Sequence, residues 1–309
     1  MPTGFPLFDV FAANLGLYWR EYTGLFMCPL CLRTFSRDQV NDLSKAHIMP
    51  KFVGKRDLTL ACMKCNNKVG TEIESYGKER ANFNWALSGD GNETTRISTS
   101  VSNEQGDVVG PVQADMRGIR SGGDRRLHVN LQPKASNPEA LRLLNDHLSA
   151  GRGPIQFQFR ETRSSKRANL TYVHAAYLHM FHQFGYEWVF TPGAELIRKQ
   201  ITSPDKLIIR PLFPALSGLL IPNDELAVFL VTHPADFRSF LVIPPLLRGS
   251  TQRQGVWMPL IGCQYGQPPQ REGVSLTAVP VPNRHQFLHM PDSKLQGCRF
   301  VLYHLAKER

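Results

Sequence analysis

Two Cys-x-x-Cys pairs, Cys28 with Cys31 and Cys62 with Cys65, flank the segment Ala46-His47-Ile48-Met49-Pro50. Paired thiolates at this spacing, one pair on each of two turns, suit a tetrahedral zinc ion. The metal's task there is structural. A small, loop-rich stretch buries too little apolar surface to fold alone, whereas apparent zinc binding of roughly 10–16 kcal/mol can supply the folding energy. The other two cysteines, Cys263 and Cys298, lack paired spacing and read as small buried residues rather than a disulfide.

Such a site needs elements to present it. An aromatic lead-in, LGLYWREYTGLF, delivers the chain to the first knuckle, LSKAHI reads as a strand, and DLTLAC alternates into the second knuckle. A helix is expected from Asn66, with Val69, Ile73 and Tyr76 at helical spacing and Gly70 and Gly77 weakening it.

On these residues, AHIMP and CMKCNNKVG in particular, residues 25–80 resemble the ββα-metal nucleases of the HNH endonuclease family. In that family's zinc-stapled members a strand ends in an acidic residue and a histidine, and a second knuckle runs directly into a helical asparagine. The resemblance implies that His47 is the general base that takes a proton from the water attacking a phosphodiester. An unperturbed pKa near 6.5 suits that task, and a proline-turned strand end fixes where the ring points. It further implies that Asn66 ligates a catalytic Mg²⁺ or Mn²⁺ through its amide oxygen, work that a zinc ion closed by four thiolates cannot perform. On residue chemistry alone, Asn66 serves equally well as a helix cap.

Two positions depart from the family pattern. Asp57 stands where the family has its middle asparagine, and a carboxylate accepts hydrogen bonds without donating them. Ala46 stands where an acidic metal ligand is expected, and a methyl group cannot hold a metal. Three readings stay open: a substitute carboxylate among Asp38, Asp42, Asp57, Glu72 and Glu74, a degenerate enzyme, or an inactivating replacement. Substitute ligation is preferred because His47, Asn66 and all four cysteines occur together. Lys45, Lys51, Lys55, Arg56, Lys64 and Lys68 lie around the site. They would attract the backbone of double-stranded DNA without reading its bases, although a solvated basic surface has the same composition.

The rest of the chain fits an α+β fold in three consecutive regions: a zinc-stapled module over 1–90, an α+β region over 91–205 and a β-rich region over 206–309. RISTSVSNEQGDVVGPVQADM reads as a hairpin and RRLHVNLQ as a further strand. SNPEALRLLNDHL carries a helix-start signal, with Pro138 in its first turn, and PIQFQFRET returns to strand. ANLTYVHAAYLHMFHQFGYEWVF is the clearest helix, buried and closed by Gly185, and PGAELIRKQI is a shorter one. His174 and His182 lie eight residues apart on the long helix, about 12 Å along its axis, too far to share one ion. Arginines from Arg117 to Arg167 form either a second phosphate track or the polar face of a sheet. LLRGSTQRQG reads as a surface loop. The β-rich region carries no phosphate loop and no nucleophile elbow.

A net charge of +10 from 36 Lys and Arg against 26 Asp and Glu favours a polyanionic partner. There is no apolar run long enough to span a bilayer and no signal-peptide pattern at the start, so a cytoplasmic, membrane-free location is expected. The expectation is a metal-dependent DNA endonuclease holding structural zinc and catalytic Mg²⁺ or Mn²⁺, with the C-terminal region free to bind a protein partner. Fold-level analogy adds a role as effector of a genome-defence system. The alternative is a degenerate zinc module that docks DNA or protein.

Overall fold

The computed structural model describes residues 6–50, 58–88, 94–102, 108–121, 124–150, 158–160, 165–213, 226–245, 254–261 and 277–281. Helices and small antiparallel sheets make it an α+β chain. It folds as two compact units, one of residues 1–74, 169–246 and 252–309, the other of 75–168 and 247–251. The expected three consecutive regions cut the chain elsewhere. Sequence order misses the division because the long buried helix returns to the first knuckle across some 150 residues, through Tyr177, whose hydroxyl donates to the Pro29 carbonyl at 2.6 Å with a separation of 148.

In the first unit, helix α1 (Pro6–Gly16) starts on a proline, whose fixed φ suits a first helical turn. It buries Phe8, Phe11, Ala12 and Leu15 at helical spacing. The aromatic lead-in begins only at Leu15, where this helix ends. Strands β1 (Phe26–Met27) and β2 (Thr34–Phe35) pair antiparallel around the first knuckle. Strands β3 (Leu43–His47) and β4 (Leu58–Cys62) form a second hairpin, and helix α2 (Met63–Val69) follows β4 without a linker. One π turn, Gly70–Glu74, continues it. The helix thus begins three residues before the expected Asn66, because Cys62 takes the extended N-cap conformation itself.

Helix α5 (Ser165–Phe184) is buried on all sides from Leu170 to Gln183, as its composition predicts. Gly185 ends it with a φ of +63°, where an added Cβ would fall 2.2 Å from Asn14 Oδ1. That same oxygen accepts the Tyr186 N–H at 2.9 Å. Phe181 stacks on Phe11 with ring centroids 4.3 Å apart. Short helices α6 (Tyr186–Val189) and α7 (Pro192–Thr202) follow, the second capped by Thr191, whose hydroxyl accepts from the Ala194 N–H. A five-stranded antiparallel sheet completes the unit in the order β13-β10-β11-β12-β9, built from β9 (Leu212–Phe213), β10 (Ala227–His233), β11 (Ser239–Ile243), β12 (Gly255–Met258) and β13 (Thr277–Val281). Trp188 Nε1 donates to the Pro259 carbonyl at 2.9 Å and so ties α6 to the segment leaving β12.

The second unit holds helices α3 (Ser75–Ser88) and α4 (Pro138–Ser149) and strands β5 (Thr95–Ser102), β6 (Val108–Ser121), β7 (Asp124–Leu131) and β8 (Gln158–Arg160). The strands form an antiparallel sheet in the order β7-β6-β5-β8. Strand alternation selects its two faces: Ile97, Ala114 and Met116 pack with Ala86 of α3, while Arg96, Arg117, His128 and Asn130 are exposed. Asn137 accepts the N–H groups of Glu139 and Ala140 and starts α4, as its sequence signal predicts. The proposed LLRGSTQRQG loop lies outside the described residues except at Gln254 and Gly255, and Cys263 and Cys298 lie outside them altogether.

Candidate metal centre

The metal-binding geometry is assembled by local backbone. Cys28 leaves β1, its N–H bonding the Arg33 carbonyl and its carbonyl accepting from Leu32. The knuckle closes with Leu32 at a φ of +59°, a left-handed conformation that leucine seldom adopts. Cys62 and Cys65 sit at the N-cap and in the first turn of α2, where the helix dipole favours thiolates. The Cys62 N–H points at Cys28 Sγ across 3.4 Å.

All four sulfurs lie within 4.8 Å of one another. Cys31 Sγ and Cys62 Sγ are 3.7 Å apart, close to the edge of about 3.8 Å of a tetrahedron with 2.3 Å zinc–sulfur bonds, and far beyond a disulfide's ~2.05 Å. All four are free thiols. Crowding divides their protons unequally. Hydrogen bonds from Cys28 and then Cys65 hold Cys31 far below the ordinary thiol range. The Cys28 hydrogen bond pulls Cys62 down to about 6 against its burial. Cys28 is pushed far up by Cys31, Cys62, Cys65 and burial. Cys65 is lowered by Cys28 but pushed up to about 12 by Cys31, burial and Cys62 together. The exposed Arg33 guanidinium lies against Cys31 and Cys62, which hold it more firmly in its charged form. A zinc ion bound by the four sulfurs would displace the protons that the cluster retains.

Buried tyrosines brace the first knuckle on both sides of Cys28. Tyr186 Oη donates to the Met27 carbonyl at 2.5 Å and accepts the Met27 N–H at 2.9 Å, while Tyr177 holds Pro29. Burial pushes the Tyr177 phenol up to about 12 and that of Tyr186 well above the ordinary tyrosine range, so both remain protonated donors. No local pattern marks this bracing, which depends on residues far away in the chain.

The proposed catalytic residues occupy the same hairpin and helix. His47 ends β3 in register with Leu58, and Leu43, at the other end of β3, pairs with Cys62. Asn66 is the fourth residue of α2 and half-buried. It does not cap the helix, because the N-cap is Cys62. Ala46 points to the opposite face from His47 and is 1% exposed. Its cross-strand partner is Thr59, whose Oγ1 is buried without a hydrogen-bond partner, as is Ser44 Oγ two residues before Ala46. Position 46 is thus buried in the hairpin near two hydroxyls that a carboxylate there could engage.

The substitute carboxylates fare unequally. Asp42 precedes Leu43 at the cysteine end of β3, roughly 16 Å along the strand from His47. Asp38 lies before it on the 3₁₀ helix Arg37–Asp42. Glu72 faces Lys68 at 3.8 Å, and Glu74 lies 3.4 Å from Nδ1 of the buried His174. Both glutamates are on the order of 10 Å along the helix from Asn66, too far to share an ion with it. Among the described residues, only the four cysteines gather three or more His, Cys, Asp or Glu ligands. These residues therefore supply one amide oxygen and no carboxylate for Mg²⁺ or Mn²⁺, an incomplete set. Asp57 lies outside the described residues, as do Lys51, Lys55 and Arg56. Lys45, Lys64 and Lys68 are exposed, Lys68 donating to the Thr202 carbonyl.

Comparison of the chain with protein-family models, curated proteins and solved structures yields no match.

Proposed function

We propose that this chain carries an endonuclease-type module that hydrolyses phosphodiester bonds in DNA, with His47 as general base and the four cysteines as a structural zinc site. One observation carries the reading: a β-hairpin whose second strand runs directly into a helix at a cysteine cluster, with His47 ending the first strand and Asn66 one turn into the helix. A half-buried imidazole at a strand end can take a proton from water while its strand holds the ring in place. Exposed Lys45 and Lys64 favour approach of a polyanion to the same module. A hard divalent cation, where one binds, would stabilise charge on the phosphate and the leaving oxygen. Asp57, which precedes the register partner of His47 in the chain, is the remaining candidate carboxylate for it.

Plasmid nicking with added Mg²⁺ or Mn²⁺ tests the reading. His47→Ala should abolish nicking, a loss on the order of 100-fold or more, and leave the zinc content unchanged. Equal nicking by both proteins would sink the assignment.

The buried methyl of Ala46 favours a second reading, a zinc module that docks DNA or protein without hydrolysis. Under it, wild-type protein binds DNA in a salt-sensitive way and does not cut, whereas Ala46→Asp, placed opposite Thr59 Oγ1, gains cleavage. A defence role and a protein partner for the β-rich strands rest on analogy alone and belong to this proposal only as contexts to test.

A further inference from the structure

We infer that loop 203–210, which follows helix α7, is a second DNA-contacting element: Lys206 and Arg210 take backbone phosphates, and Leu207 between them enters the major groove. The inference rests on the reading of α2 as a DNA-facing helix and extends it to a segment that has no role in that reading.

Contacts from several sides fix the loop. Lys68, one turn after Lys64 on α2, donates to the Thr202 carbonyl at 3.3 Å, so the end of α7 lies against α2. Pro204 and Asp205 occupy the corner of a turn closed by the Lys206 N–H on the Ser203 carbonyl at 3.1 Å. Proline's fixed φ suits the first corner position, and aspartate is at home in turns. Gln200, buried on α7, holds the middle of the loop. Its Nε2 donates to the Lys206 carbonyl at 2.7 Å, and its Oε1 accepts the N–H groups of Ile208 at 2.8 Å and Ile209 at 3.3 Å. At the far end the Pro211 carbonyl accepts the Trp257 N–H of β12 at 2.7 Å.

This fixed backbone presents exposed side chains. Lys206, Leu207 and Arg210 face solvent, Leu207 with 60% of its surface, whereas Ile209 is buried. A loop already ordered gives up little conformational entropy when it binds. Lys64 and Lys68 of α2 are exposed as well. Against these four cations, α2 and the loop contain one acid, Asp205, and Glu72 just beyond α2 faces Lys68 at 3.8 Å. A positive surplus on a rigid surface suits a polyanion, because each phosphate contact releases condensed counterions. Spacing suits duplex DNA. A closed turn keeps the Cα of Lys206 within about 7 Å of that of Ser203, and therefore within about 13 Å of Lys68 Nζ, close to the roughly 12 Å width of the major groove. An apolar side chain in that groove meets thymine methyl groups.

The test is binding of the full chain to a short fluorescent DNA duplex across a salt series, without added divalent metal. Lys206→Gln with Arg210→Gln should weaken binding on the order of 10-fold at low salt and reduce the salt slope by about 0.9 for each cation in contact. Leu207→Ala should weaken binding about 3- to 10-fold at every salt concentration and leave the slope unchanged, because its contact is apolar. Arg142→Gln removes a charge on α4 at a residue that pairs with Asp146, and should change neither affinity nor slope. An unchanged slope in the double variant, wild-type affinity in Leu207→Ala, or an equal loss in Arg142→Gln would overturn the inference. Wild-type DNA binding by all the loop variants is also the result expected if a protein, rather than DNA, docks on Leu207. Because no cleavage step enters, binding that depends on the loop without any nicking would sink only the nuclease reading. Nicking that is indifferent to the loop would sink only this inference, and a chain that binds no DNA would sink both.

Discussion

Strands β1 and β2 of the cysteine-cluster region have two residues each and β3 and β4 have five, whereas β5, β6 and β7 of the second unit have 8, 14 and 8. The short strands converge on four sulfurs. The long ones are held by cross-strand pairing and by a cluster of Ala86, Ile97, Ala114 and Met116 under helices α3 and α4. The contrast shows what a metal replaces. Where strand length and buried area are small, four cysteines gathered within 4.8 Å could hold a zinc ion that would supply the missing stabilisation. Where pairing is long, side-chain packing suffices.

Chelation should separate the two regions most sharply. Removing zinc, or replacing Cys28 by Ser, withdraws stabilisation on the order of 10 kcal/mol from the module. Hydrogen exchange should then show loss of protection across residues 26–49 and 58–69, with the amides of β5–β7 still protected. Simultaneous loss in both regions would break the comparison. From the other side, Met116→Ala leaves a cavity in the sheet's core and should cost about 2–5 kcal/mol in denaturant unfolding without altering zinc stoichiometry.

Smaller effects sharpen the same contrast. Tyr186→Phe deprives the Met27 N–H and carbonyl of their shared partner and should cost about 1–3 kcal/mol. Because the hydroxyl braces the residue next to Cys28, this variant should also lose zinc to a competing chelator sooner than wild type. An unchanged rate of zinc loss would mean that the metal alone fixes the knuckle. Smallest is Asn137→Ala, which removes the cap of α4 and should cost about 1 kcal/mol with no effect on zinc.

Particular residues show why some features were legible before the fold and others not. Ser136, Asn137 and Pro138 announced α4 because capping is local chemistry, and α5 read as buried because no face of it is consistently polar. Helix α1 carries its own local signal in Phe8, Phe11, Ala12 and Leu15 at helical spacing, ahead of the aromatic lead-in. The sequence suggests a helix start at Asn66, whereas the N-cap is Cys62, whose extended backbone leads straight from β4 into the first helical turn. Asp42 and Glu72 looked interchangeable as ligands by proximity in sequence, and strand and helix geometry carried them away from His47 and Asn66.

By itself the sequence determined the four-cysteine cluster that could hold a zinc ion, since paired cysteine spacing encodes a knuckle through backbone reach alone, and it determined the α+β alternation, since hydrophobic period is local. Only the tertiary structure decided which distant tyrosines brace that knuckle and that the residue before His47 pairs across the hairpin with Thr59, whose hydroxyl is buried without a hydrogen-bond partner. Each of those outcomes depends on register or long-range packing. A one-residue shift in pairing reverses every side chain's face, and no local pattern specifies it.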